Sequence, residues 1–244
     1  MTNLNTIVYD IINIAYGGES ADDADISFRQ VAYWVKQERS LLLSQMLGRK
    51  MRIPAACVEY INCVYLEPVD ASECCEVDTG VHVLKSVNPI PTTVQRNGRD
   101  SILAVESLDG MRPFSETTDT RRKWNKYNKY TNSNQRWYIK NGHLYVSCDI
   151  RIDAVKVTGV FEDPEDVWKL NHCTSAENPT LSACSYDWEF PFPISLSMAE
   201  QVTSLILQKR ISIILNAPTD DTNDAKEDPG QMQAAAQQRQ KRSK

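Results

Sequence analysis

No stretch of this sequence approaches 18 uninterrupted apolar residues, so it encodes no membrane-spanning helix. The opening Met-Thr-Asn-Leu-Asn lacks the basic start and apolar core of a signal peptide, and we expect folding in a cytoplasm. A surplus of positive charge is missing too. A net charge of −5 argues against a dedicated nucleic-acid binder, whose domain is usually strongly basic. No glycine-rich phosphate loop is present: Gly17-Gly18 follows a helical pattern instead of opening one. The cysteines lack pairing. Cys57, Cys63, Cys74, Cys75, Cys148, Cys173 and Cys184 are odd in number and irregular in spacing, which excludes a secreted disulfide framework. No C-x2-C unit offers a zinc site, and the adjacent Cys74-Cys75 and His172-Cys173 are weak substitutes. Reduced, mostly buried thiols are the expectation, with no metal and no cofactor.

What is present is enough for a core. A chain of 244 residues can form one large domain or two small ones, and 41% apolar content is that of an ordinary soluble protein. Leu4, Ile7, Val8, Ile11, Ile12 and Ala15 make the apolar face of a helix over residues 4–16. A second helix, about 30 Å long at 1.5 Å per residue, runs from Asp25 to Gly48. Ser27 and Gln30 have capping-box spacing, and Gly48 stands where a left-handed stop is commonest. Val31, Trp34, Val35, Leu41, Leu42 and Met46 form its main apolar face, while Phe28, Tyr33, Leu43 and Leu47 lie off it. A helix apolar on more than one side needs more than one neighbour, from its own chain or from another subunit.

From residue 57 to 161 the pattern turns to strand. Val58–Leu66, closed by Pro68, is β-branched and aromatic; Val81–Leu84, Ile102–Val105 and Ala154–Phe161 follow. Asn141-Gly142, between two alternating runs over Arg136–Ser147, is a strong hairpin signal. Asp163-Pro164 opens a short helix, and Ser197 with Glu200 opens another that ends at Asn216 and Pro218. The fold class expected is α+β: an N-terminal helical hairpin and a C-terminal helix packed together, an inserted antiparallel β-sheet or small barrel, and an extended C-terminal tail. The corresponding segments are 1–52 with 194–217 as helical bundle, 53–165 as β-domain, 166–193 as irregular loops and 218–244 as tail. The tail is acidic, then Gln- and Ala-rich with Met232, Arg239, Lys241 and Arg242. Such a segment is disordered alone. Ordering it costs about 1–2 kcal/mol per residue, so it needs a partner to dock on.

Chemistry is sparse. His143, Cys148 and Asp149 lie close in sequence without the surroundings of a known nucleophile, and enzymatic activity is not expected. The run Arg121, Arg122, Lys123, Trp124 and Tyr127, continued by Arg136-Trp137-Tyr138, interleaves base with aromatic. That composition suits phosphate tracking with base stacking, a protein interface, or a plain surface loop.

Several stretches carry a family resemblance: Ile7–Gly18, Asp25–Val35, Ser72–Cys75 and Val157–Pro164. Together with the order of elements, they resemble the head-to-tail ring (adaptor) proteins of crAss-like, short-tailed bacteriophages. The resemblance implies a structural ring of twelve subunits in the virion neck, assembled in the bacterial host cytoplasm. It implies the portal protein and the next tail ring protein as partners, with DNA passing through the lumen without sequence-specific binding. Tyr33, Trp34 and Leu43 are then expected at the subunit interface, and Met232, Arg239, Lys241 and Arg242 on the portal or a neighbour. A head-to-tail ring has two different contact faces per subunit, which suits a helix apolar on several sides.

Overall fold

A computed structural model describes residues 2–17, 26–70, 82–95, 98–121, 135–147, 152–182 and 184–212. The chain divides into two compact units, Met1–Thr203 and Ser204–Lys244. Helix α1 (Leu4–Tyr16) is capped by Asn3, whose side chain accepts from the Thr6 N–H, and stops at Gly17 with φ 71°. It buries Leu4, Ile7, Val8, Ile11 and Ile12, the face its spacing predicts. Helix α2 (Phe28–Gly48) packs against it, with Ser27 accepting from the Gln30 N–H. Its end corrects the sequence reading. Gly48 is still helical, Arg49 is the cap, and Lys50 takes the left-handed turn at φ 58°.

The β-domain is one seven-stranded sheet in the order β3-β7-β1-β2-β6-β5-β4. Its strands are β1 (Glu59–Asp70), β2 (His82–Ser86), β3 (Ile102–Ser107), β4 (Ser115–Glu116), β5 (Arg136–Lys140), β6 (His143–Ser147) and β7 (Ala154–Gly159). Pairing is antiparallel except for β4 with β5. The two edges meet. The Phe114 N–H donates to Val105 O at 2.8 Å and the Ser107 N–H to Arg112 O at 3.0 Å, which closes β3 onto the approach to β4. Of the antiparallel sheet or small barrel expected, the sheet is thus a nearly closed barrel, which leaves little strand edge exposed. Its core holds Ile61, Val105, Phe114, Trp137, Leu144, Val157 and Phe161.

Strand β1 serves two neighbours in turn, β7 as far as Tyr65 and β2 from Leu66. Pro68 therefore lies inside the strand, not after it. By that point β1 is an edge on its β7 side, where a residue without an N–H is tolerated. The hairpin β5–β6 turns at Asn141 (φ 51°) and Gly142 (φ 76°), as the dipeptide predicts. Helix α3 (Pro164–His172) starts at Asp163, whose side chain accepts from the Glu165 N–H. It rests on β1, where the register shifts between Ile61 and Val64. There the Asn171 amide accepts from Asn62 N–H at 3.0 Å and donates to Tyr60 O at 2.8 Å, satisfying backbone groups as a neighbouring strand would. Helix α4 (Leu196–Ile206) begins two residues earlier than predicted. Ser195, not Ser197, receives the Met198 N–H, at 3.4 Å. Ser204–Lys244 is described only to Ser212, through a π-helical turn at Leu207–Ile211 in which the Ser212 hydroxyl donates to Gln208 O.

The cysteine expectation also needs correction. Cys173 and Cys184 form a disulfide, with Cα atoms 6.2 Å apart, that ties the end of α3 to the following loop. Eleven residues separate them, a spacing that no pairing rule singles out. Cys57 is a free buried thiol pushed up by its burial, hence inert at neutral pH. Cys63 is also free; Cys74, Cys75 and Cys148 lie outside the described residues.

Candidate subunit interface

Beyond Arg29 in its first turn, helix α2 is charged on the inside and uncharged on the outside. Its exposed positions from Gln30 onward are Gln30, Tyr33, Gln37, Leu41, Gln45 and Gly48. The charged residues of the same span, Lys36, Glu38 and Arg39, all turn toward the protein. Arg39 is fully buried. Its guanidinium donates to Pro193 O, Phe161 O and Glu59 Oε2, each at 2.9 Å. Burial pushes the Glu59 carboxyl up, and Arg39 pulls it only part of the way back. Lys36 bridges to the start of α3, reaching Asp163 at 3.1 Å and Glu165 at 2.5 Å. These pairs fix the rotation of α2 and leave its opposite face without charge from Gln30 to Gly48.

That rotation differs from the one expected. Leu41 is exposed and Leu42 and Met46 are half-buried, whereas Leu43 and Leu47 are buried. The inward stripe passes through Glu38 and Arg39, which an apolar-periodicity reading skips. Trp34 and Leu43 are therefore used inside their own chain, at 7% and 0% exposure. Tyr33, at 58%, stays on the outer face, its hydroxyl accepting from Gln37 Nε2 at 2.6 Å. Beside it Tyr9 and Phe28, both substantially exposed, pack edge-to-face with ring centres 4.8 Å apart, and Ile14 of α1 is 59% exposed. Aromatic and aliphatic side chains on a charge-depleted surface are the composition of an interface core.

A groove of about 420 Å³ borders this face, with Arg29, Tyr33, Tyr186 and Trp188 in its lining. The Tyr186 hydroxyl is pushed up to about 12 by its burial and then by Glu165 and Asp163, so it stays neutral. A second hollow of about 550 Å³ lies over Asn171, walled by Trp168, His172 and Phe190. There His172 stacks on Trp168 at 4.5 Å and its Nδ1 donates to Trp168 O at 2.8 Å.

The other sequence candidates separate. Arg121 is exposed, while Arg122, Lys123, Trp124 and Tyr127 lie outside the described residues. Trp137, buried in the barrel core, and Tyr138, buried with Val83 and Tyr145 on the other face of the sheet, close that segment and offer no face to a base. His143 lies against Ser86, its Nδ1 2.9 Å from the backbone oxygen; Cys148 and Asp149 are outside the described residues. So are Met232, Arg239, Lys241 and Arg242 of the tail. Among the described residues no cluster of His, Cys, Asp and Glu is placed to hold a metal, and no helix is long and apolar enough to cross a membrane.

A two-helix hairpin with aromatic and aliphatic side chains on its outer face, beside a nearly closed barrel, has the form of an assembly subunit. Over residues 6–229 the sequence matches the model of a family described as phage tail ring protein 2. The chain belongs to that family of crAss-like phage tail ring proteins. It is a structural component of a virion tail. No curated protein matches the chain.

Proposed function

We propose that copies of this chain form a ring of twelve in the head-to-tail connector, joining portal to tail around a lumen for DNA. The role is mechanical, with no reaction assigned to it. The observation that carries the reading is the inverted polarity of α2. Ion pairs hold Lys36 and Arg39 inward, Glu38 is buried beside them, and the outer face with Tyr33, Gln37 and Leu41 is left for a neighbouring copy. A net charge of −5 suits a conduit along which DNA slides without sticking. The tail, residues 218–244, then grips the portal. The family description names the tail and not the portal, which favours a second reading: a ring lower in the neck without portal contact.

The test supplies Tyr33→Glu with Leu41→Glu in trans to a phage lacking the protein. We expect particles without this ring, while the purified variant melts as the parent does. Normal rings would remove the interface from α2. Deleting residues 218–244 separates the two neck positions: lost co-purification with portal supports the connector, and retained binding ends the clasp.

A further inference from the structure

The turn between β3 and β4 carries two apolar side chains that none of the described residues covers. Leu108 is 54% exposed and Met111 79%, the highest value among the large exposed apolar residues described. The turn is nevertheless stiff. Asp109 accepts from the Met111 N–H at 3.0 Å and from the Ser107 hydroxyl. Ser107 Oγ accepts from the Arg112 N–H at 3.1 Å, and the Gly110 N–H donates to Ser107 O at 2.8 Å. Gly110, at φ 70°, supplies the left-handed residue the turn requires. Those bonds hold the Asp109 carboxyl below the usual range, the Ser107 hydroxyl contributing most, so the tip stays anionic at neutral pH. A preorganised tip loses little freedom when it docks, which is how rigid anchors gain affinity.

A ring closed by head-to-tail contacts needs a second surface on each subunit, different from α2 and complementary to it. The groove beside Tyr33 has the matching chemistry. At about 420 Å³ it falls within the ~300–1,000 Å³ of cavities that enclose a small group. Tyr33, Tyr186 and Trp188 give it aromatic walls, on which a methionine sulfur packs well. Arg29 stands in its lining with no ion-pair partner among the described residues, opposite in sign to Asp109. We propose that the Leu108–Met111 tip of one copy inserts into the groove between Arg29, Tyr33 and Trp188 of the next, with Asp109 meeting Arg29. This rests on the ring reading above.

The experiment places photoreactive benzoylphenylalanine at Met111 or, separately, at Tyr33 of the full-length chain during infection. Purified particles are irradiated and adducts mapped by mass spectrometry. The expected product from position 111 is a chain-to-chain adduct within residues 29–36 or 184–188. An adduct on another protein, one elsewhere in the chain, or none overturns the tip. A self-adduct from position 33 alone leaves the ring standing and removes only the knob; no self-adduct from either removes both. In the same system Asp109→Arg and Arg29→Asp should each lower incorporation at least tenfold, and the double variant should restore it. Absence of rescue breaks the pairing.

Discussion

Arg39 Nη2 lies 2.9 Å from Glu59 Oε2, with the arginine side chain fully enclosed and the glutamate nearly so. The pair joins the middle of α2 to the first residue of β1. Through Phe161 O and Pro193 O the same guanidinium reaches the exit of β7 and the approach to α4. Removing one member of a buried pair costs about 3–5 kcal/mol, because the remaining charge keeps no partner. Arg39→Met should lose at least that much in urea unfolding. Adding Glu59→Leu should recover part of it by deleting the stranded carboxyl. Full recovery is not expected, since the buried Phe161 carbonyl remains unmet at about 1–3 kcal/mol and the partly buried Pro193 carbonyl also loses its donor. A double variant no more stable than Arg39→Met alone would show that the carboxylate contributes little.

Lys50 and Gly48 have exchanged the roles their types suggest. A side chain in the left-handed region costs about 1–2 kcal/mol, and Lys50 occupies it at φ 58°. Gly48 sits in ordinary helix, where a Cβ would meet nothing within 4 Å. Lys50→Gly should therefore stabilise by about 1 kcal/mol. Gly48→Ala should add about 0.5–1 kcal/mol through helix propensity. Thermal melting of the two single variants decides both; a fall in either would mean that the exit of α2 is held by something beyond backbone preference.

Local signals in the sequence are reliable where one residue's chemistry decides the structure. Asp163 and Pro164 open α3, Asn141-Gly142 turns β5 into β6, and Gly17 stops α1 because those residue types suit few other geometries. The failures are tertiary. The stripe of α2 was hidden because its centre is Glu38 and Arg39, and charged residues enter a core only when a distant partner meets them. Barrel closure depends on a two-residue strand and two hydrogen bonds near Phe114, too short for any periodicity. The Cys173–Cys184 bond follows from where α3 ends in space. Of the three α2 residues proposed for a subunit interface, the fold leaves Tyr33 exposed and encloses Trp34 and Leu43 within the chain.

Lys36 makes the clamp between α2 and α3 dependent on pH at both extremes. Burial works to lower the Lys36 pKa, but the hydrogen bond Lys36 donates to Glu165 and the charge of Asp163 outweigh it, leaving the pKa raised above 10.5. For Glu165 burial works upward, and Lys36 with Lys169 outweighs it, leaving the pKa below 4.5. A raised lysine contributes stability that is complete below its unfolded value and is lost as pH rises through the folded one. A lowered carboxylate contributes stability that is complete above its unfolded value and is lost as pH falls through the folded one. The clamp thus acts fully between about pH 4.5 and 10.5 and fades outside that window. Asp166 runs the other way, raised by its burial and then by Asp163, so the raw pH curve of the protein mixes the two signs. Subtracting Lys36→Met from the parent isolates the clamp. At pH 7 the difference should be at most about 1 kcal/mol, the range of partly exposed ion pairs. It should shrink below pH 4 and again above pH 11, measured as urea midpoints across the range. A difference that stays constant through the acid limb would show that Lys36 acts by packing its methylenes rather than by charge.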